Sequence, residues 1–366
     1  MILNHEQILL CEARRREETK KGGEILSSNY MIKVHDLNKT FKKVVKEKGL
    51  AGSFKSLFNP QIVDFEAVKN LTFNVPKGQV FGFIGANGAG KSTTIKMLTG
   101  ILTPTSGKCT INGFNPQKDR KKYVQEIGVV FGQRTQLWWD LPLQETYSVL
   151  KEVYQVPDKE FRTRMGFLNE ILDLNDFIND PVRTLSLGQR MRADIAASLL
   201  HRPKVLFLDE PTIGLDVSVK DKIRKAITAI NQEEKTTILL TTHDLKDIEL
   251  LCQRIYLIDH GEKIFDGSIE ELKKQYGKIH EVVFKLENKN DSSILDYQKK
   301  FSNIDTAVAE DTVHVYFDAT KVPLPNIIKY TLDRVPIVDV AVKDPDVEDI
   351  VRRFIRREIG NDSEKV

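Results

Sequence analysis

Val80-Phe81-Gly82-Phe83-Ile84 is an apolar run that leads straight into Gly85-Ala86-Asn87-Gly88-Ala89-Gly90-Lys91-Ser92-Thr93. The run reads as a buried strand. The segment after it satisfies G-x-x-x-x-G-K-[ST] in the strand–loop–helix context that this spacing requires. Glycines let backbone N–H groups turn inward around phosphate oxygens. The N-terminus of the following helix faces the same anion. Lys91 is placed to reach the β- and γ-phosphates of a nucleotide, and the Ser92 hydroxyl to ligate Mg²⁺.

A second buried strand, Lys204-Val205-Leu206-Phe207-Leu208, ends in Asp209-Glu210. In a phosphate-loop protein such a strand sets its aspartate beside the metal, so Asp209 is expected to hold Mg²⁺ through water. Glu210 is placed to accept a proton from an attacking water, the general-base role. Taken alone, two solvated acids capping the next segment would be the ordinary reading of this pair. Beside the phosphate loop it is not.

Around these two strands, residues 31–278 alternate strand-like and helix-like segments, which predicts an α/β fold with a mainly parallel sheet. The stretch from Lys42 to Asp64 interrupts the alternation. Its apolar positions Leu50, Phe54, Leu57 and Phe58 have helical spacing, which predicts an inserted amphipathic helix. That helix packs either on its own domain or on a membrane partner. Beyond Tyr276-Gly277 the pattern changes. Strands are predicted at Val282–Leu286, Val313–Phe317 and Ile337–Val342, and helices at Asn326–Leu332 and Val347–Ile359. Residues 279–366 are therefore expected to form a small α+β accessory domain. Residues 1–30 are charged and weakly patterned, and two readings stay open. They are a flexible extension, or the true start is Met31.

The 366 residues carry 55 basic and 52 acidic side chains, a net charge of +3, too near balance to argue for nucleic acid. No apolar run approaches the roughly 20 residues of a membrane helix. Cys11, Cys109 and Cys252 lack metal-ligand spacing and suggest a reducing compartment rather than structural disulfides.

Thr184-Leu185-Ser186-Leu187-Gly188-Gln189-Arg190 narrows the field further. It resembles the signature sequence of ATP-binding cassette (ABC) proteins, with Leu187 in place of the first glycine and a short helix, Met191 to His201, before the acidic strand. Gln133, after the strand Ile127–Phe131, resembles that family's Q-loop glutamine, a catalytic and metal-contacting position. Pro211 to Asp216 resembles the D-loop, and His243, after the strand Thr237–Thr241, the switch histidine. Phe41 resembles the aromatic that stacks on adenine, with Phe65 a weaker candidate.

The resemblance covers residues 31–278, with a helical subdomain at about 134–200. It implies a cytoplasmic-face ATPase that uses ATP and Mg²⁺ and powers one or more polytopic membrane permease subunits. Two subunits, a homodimer or a pair of close paralogues, would hold ATP between them. The loop residues Gly85 to Thr93 of one would face Ser186, Gly188, Gln189 and Asp216 of the other. Within the family the chain is similar to single-cassette ATPases of bacterial export systems, and the run from Gly132 to Pro142 resembles a subfamily of uncharacterised function. The competing class is a soluble ABC ATPase acting on DNA or ribosomes. The interval between loop and signature has no sustained heptads for a DNA-repair coiled coil, and the chain has one cassette where translation factors carry two. Trp138 and Trp139, the two tryptophans, are expected at the permease contact, one buried and one exposed, because neighbours on an extended segment point to opposite sides.

Overall fold

In the computed structural model, the described residues are 29–45, 61–132, 134–242, 244–277, 279–288, 292, 295–301, 304–343, 347, 350 and 351. The chain divides into two compact units, Met1–Ile264 and Phe265–Val366.

The first unit opens with the long strands β1 (Tyr30–Val45) and β2 (Gln61–Pro76), then β3 (Val80–Gly85), α1 (Lys91–Leu98), β4 (Ser106–Ile111), α2 (Arg120–Tyr123) and β5 (Ile127–Phe131). Helices α3 (Leu143–Val153), α4 (Asp158–Leu172) and α5 (Leu187–Leu199) follow. Next come β6 (Val205–Asp209), α6 (Val217–Glu234), β7 (Thr237–Thr241), α7 (Leu245–Leu251), β8 (Arg254–Asp259) and β9 (Glu262–Gly267). One sheet has the order β5-β6-β7-β3-β8-β9, and another, antiparallel, the order β2-β1-β4. Strands β3, β6 and β7 are buried at every position, the near-continuous apolar reading of parallel strands covered on both faces. Phe73 of β2 stacks on Phe81 of β3 with centroids 5.5 Å apart, and Phe83 stacks on Tyr256 of β8 at the same distance. These rings join the two sheets beneath the phosphate loop.

Parallel register brings the site's strands to one edge. Phe83 and Asp209 both lie beside Thr241, and Phe131 lies beside Asp209. The carboxyl ends of β3, β5, β6 and β7 therefore open on one crevice, where open α/β sheets bind ligands.

The flanks of the supposed insertion are strands instead. Lys42 pairs with Asp64 and Lys43 with Val63, so β1 and β2 continue their ladder into the Lys42–Asp64 stretch. A ladder already in register extends more readily than a new helix nucleates. Leu50, Phe54, Leu57 and Phe58 lie outside the described residues, as do Cys11 and most of residues 1–30. The signature helix also starts earlier than Met191. Ser186 caps it: its hydroxyl accepts the Gln189 amide at 3.2 Å, while the Gln189 side chain accepts the Ser186 N–H at 2.9 Å. This capping box starts the helix at Leu187.

The second unit contains α8 (Ile269–Tyr276), β10 (Ile279–Leu286), α9 (Tyr297–Lys300), β11 (Ile304–Ala309), β12 (Thr312–Asp318), α10 (Leu324–Leu332) and β13 (Ile337–Lys343). Its antiparallel sheet has the order β11-β12-β10-β13. Val282, Phe284, Val313, Val315 and Phe317 alternate into a core shared with Tyr297, Ile327 and Tyr330. Val347, Ile350 and Val351 are helical and buried, and the rest of the expected last helix lies outside the described residues.

Candidate nucleotide site

Gly90 has φ +105, and a Cβ there would come within 2.5 Å of the Ala67 carbonyl oxygen. Only glycine fits both demands, and it sets the first turn of α1 against β2. Lys91 then enters the loop from beneath. It is 6% exposed, and its Nζ donates to the carbonyls of Gly85 at 2.7 Å and Ala86 at 3.1 Å. Burial lowers its pKa, opposed by the nearby carboxylates of Glu210 and Asp209. A phosphate in the loop would act in the same direction as those carboxylates.

Asp209 sits at the end of β6. Its Oδ1 accepts the Thr241 hydroxyl at 2.6 Å and lies 3.4 Å from Ser92 Oγ. A hydroxyl and a carboxylate oxygen side by side are hard donors of the kind that would suit Mg²⁺. Among the described residues no cluster of three or more His, Cys, Asp or Glu could hold a metal.

Glu210 has a left-handed backbone, φ +58, which is strained for a residue with a Cβ. Its N–H donates to the Thr241 carbonyl at 3.0 Å and to the Thr241 hydroxyl at 3.2 Å, which hold the turn. The carboxylate lies 3.9 Å from Lys91 Nζ.

These groups share a cavity of about 850 Å³ whose lining includes Asn87, Gly88, Lys91, Ser92, Asp209 and Glu210. Phe41 and Phe65, direct partners across the β1–β2 ladder, stand together in its wall, both exposed. Phe41 carries Lys39 Nζ 5.1 Å from its ring centroid. The two ring candidates are thus neighbours, and the chain between them does not separate them. Gly132 and Arg134 also line the cavity, while Gln133 and His243 lie outside the described residues.

The signature residues are elsewhere. Ser186, Gly188, Gln189 and Asp216 are absent from this cavity's lining. Gly188 packs on α6, where a Cβ would meet Val219 Cγ1 at 2.9 Å. Asp216 caps α6, accepting the Val219 amide at 3.0 Å and the Ser218 hydroxyl at 2.9 Å. Its pKa is lowered chiefly by that Val219 amide.

Both tryptophans are exposed, Trp138 by 42% and Trp139 by 49%. The segment is a turn rather than an extended strand: the Leu141 amide donates to the Trp138 carbonyl at 3.3 Å. The alternation rule therefore fails, and Leu137 is the residue that goes inward. Trp139 has Arg190 Cζ 5.4 Å from its ring.

Sequence reading missed Thr241 and Asp194. Thr241 was detectable as a hydroxyl at the end of a buried strand beside the acidic one. Asp194 gave no signal, because its partners lie far away in sequence. It is 6% exposed, and its Oδ1 accepts Thr135 Oγ1 at 3.0 Å and the Gln136 amide at 3.1 Å. Burial pushes its pKa up to about 6.

The family described as "ABC transporter" matches residues 68–213. The chain is 33% identical over 207 residues to the ABC transporter ATP-binding protein NatA of Bacillus subtilis, covering 57% of this chain and 84% of that protein. It is 30% identical over 284 residues to the linearmycin resistance ATP-binding protein LnrL of the same organism, covering 77% and 91%. Among solved structures it is similar to cbiO1 from Clostridium perfringens, part of the ABC transporter complex cbiONQ, with a TM-score of 0.55 at 29% identity over 68% of this chain and 92% of that one. It is likewise similar to the dimeric cassette MJ0796 bound to ADP and Pi, with a TM-score of 0.55 at 26% identity over 65% and 99%. These names do not favour the DNA or ribosome alternative. Similarity that runs over most of the length of two ATP-binding proteins makes this chain a member of the ABC transporter ATP-binding family, an ATPase.

Proposed function

We propose that the chain is the ATPase subunit of an export system, with a separate polytopic permease as its partner. The observation that carries the site assignment is the convergence of Lys91, Ser92, Asp209 and Glu210 on one cavity walled by Phe41 and Phe65. Phe41 stacks on adenine, the loop from Gly85 to Thr93 holds the phosphates, and Ser92, Asp209 and Gln133 hold Mg²⁺. That cation neutralises phosphate charge when bound. Glu210 takes the proton of the attacking water, and His243 serves as the switch histidine that the family resemblance implies. Ser186, Gly188, Gln189 and Asp216 serve the nucleotide of a second subunit. The names of LnrL and of the probable multidrug protein YbhF of Escherichia coli support the export direction.

No described helix is long and apolar enough to cross a membrane. In this reading, attachment to the cytoplasmic face runs through the permease. The exposed Trp138 and Trp139 supply apolar contact area of the kind that dominates interface energies. Trp138→Ala and Trp139→Ala should keep ATP hydrolysis by the isolated subunit but lose co-purification with the permease, and unchanged co-purification of both would place the contact elsewhere. The site itself is tested by Glu210→Gln. Phosphate release should drop by at least about a hundredfold with ATP affinity retained. A rate within about threefold of the parent would remove Glu210 from the base role.

A further inference from the structure

Asp247 lies outside every motif read from the sequence, yet it is completely buried and both its oxygens are engaged. Its Oδ1 accepts Arg224 Nε at 2.6 Å and lies 2.5 Å from Arg224 Nη2. Its Oδ2 accepts the Thr212 hydroxyl at 2.5 Å and the Thr242 hydroxyl at 3.4 Å. Thr212 is two residues past Glu210. Thr242 immediately precedes His243, and its hydroxyl also accepts the Asp244 amide at 2.9 Å. Arg224 belongs to α6, the helix capped by Asp216, and it pairs further with Asp221 at 2.7 Å and Asp244 at 3.6 Å. On the same helix, Lys220 reaches Asp244 at 2.6 Å. Three expected site positions, Glu210, Asp216 and His243, thus sit within four residues of one buried ionic cluster.

We propose that Asp247, held by Arg224, is a positioning residue for hydrolysis. Through Thr212 and Thr242 it fixes the turn that carries Glu210 relative to Thr242 and Asp244, the two residues that flank His243 in sequence. The inference rests on the assignment of Glu210 as the general base. A buried ion pair is by itself weak evidence for stability, because desolvation offsets much of the attraction. Here the carboxylate's second oxygen is directed at two hydroxyls on the catalytic side. A pair that served only to join α6 to α7 would not require them. The left-handed Glu210 backbone is strained, so the turn after it depends on outside contacts to stay in place.

The experiment is Thr212→Val, which removes the hydroxyl while keeping the branched shape and the Arg224 pair. The kcat for ATP should fall about tenfold while the KM for ATP stays within about twofold. Thr212→Ser should restore the rate. Thr228→Val is the structural control, because its hydroxyl donates only to the Arg224 carbonyl at 3.0 Å, and it should leave kcat unchanged. Thermal melting of each variant is read alongside. The proposal is overturned if Thr212→Val keeps kcat within about twofold of the parent, or if Thr228→Val loses as much. It is also overturned if kcat and ATP affinity fall together. Glu210→Gln, measured in parallel, separates the two readings. Turnover persisting in Glu210→Gln removes the base and the proposal with it. A dead Glu210→Gln beside a normal Thr212→Val removes the proposal alone.

Discussion

The phosphate loop and the signature segment carry similar chemistry and are built in opposite ways. The loop turns its groups inward on a cavity, with Lys91 buried and placed on two backbone carbonyls that a stronger anionic ligand can replace. The signature turns its groups on itself. Ser186 and Gln189 satisfy each other in a capping box, Asp216 caps the next helix, and Leu187 stands 43% exposed. One half is the concave wall of a cavity, and the other lies outside that cavity's lining. That is the construction expected if a complete site needs two subunits related by a two-fold axis.

Breaking the concave half should have the largest effect. Lys91→Ala removes the lysine that donates to the Gly85 and Ala86 carbonyls, and ATP affinity of the isolated subunit should fall at least about tenfold. Unchanged affinity in a nucleotide titration would contradict the cradle. Ser186→Arg should do the reverse, leaving the single subunit's affinity within about twofold while abolishing ATP-driven dimerisation in a Glu210→Gln background. Full dimerisation on size exclusion would show that Ser186 faces no partner nucleotide.

A smaller effect concerns the helix behind the signature. Asp194 on α5 holds Thr135 and Gln136, just after Gln133, and burial raises its pKa from 3.8 to about 6. A carboxyl whose folded pKa is raised stabilises the fold below pH 4 and loses that contribution as pH climbs toward 6. His201, lowered from 6.5 to about 4 by burial, runs the other way and loses its contribution as pH falls through the same window. The two slopes oppose each other in the parent protein. Asp194→Asn keeps the acceptor oxygen and removes one slope. Its stability relative to the parent should rise between pH 4 and 6 by roughly 2–3 kcal/mol and then level off. Urea midpoints across this range are the check, and parallel curves would contradict it.

What could be read from the sequence follows from how local each constraint is. The strand–loop–helix at Val80–Thr93 was legible because the turn needs glycine where it stands, and Asp209 and Glu210 because a buried strand ends on them. The β11 strand, Ile304–Ala309, was not, since Ile304 alone is buried and the remainder is exposed edge. Trp138 and Trp139 depart from alternation because a turn, closed by the Leu141 amide on the Trp138 carbonyl and tied down by the Arg183 amide on the Trp139 carbonyl, replaces the extended segment that alternation assumes. Asp247 and Asp194 escaped because their closest contacts, with Thr212 and Arg224 for one and Thr135 for the other, lie 35, 23 and 59 residues away. Site strands announce themselves through periodicity, whereas the groups that hold their turns in place emerge only once the fold brings them together.

The claim that loop and signature complete each other across two chains is tested most directly by mixing two inactive variants, Lys91→Ala and Ser186→Arg. A mixed dimer pairs the intact loop of the Ser186→Arg chain with the intact signature of the Lys91→Ala chain, giving one sound site. Equal amounts should recover ATPase activity that neither variant shows alone, up to about half the parent rate, since a mixed dimer has one working site of two. A mixture as inactive as its components would contradict the account.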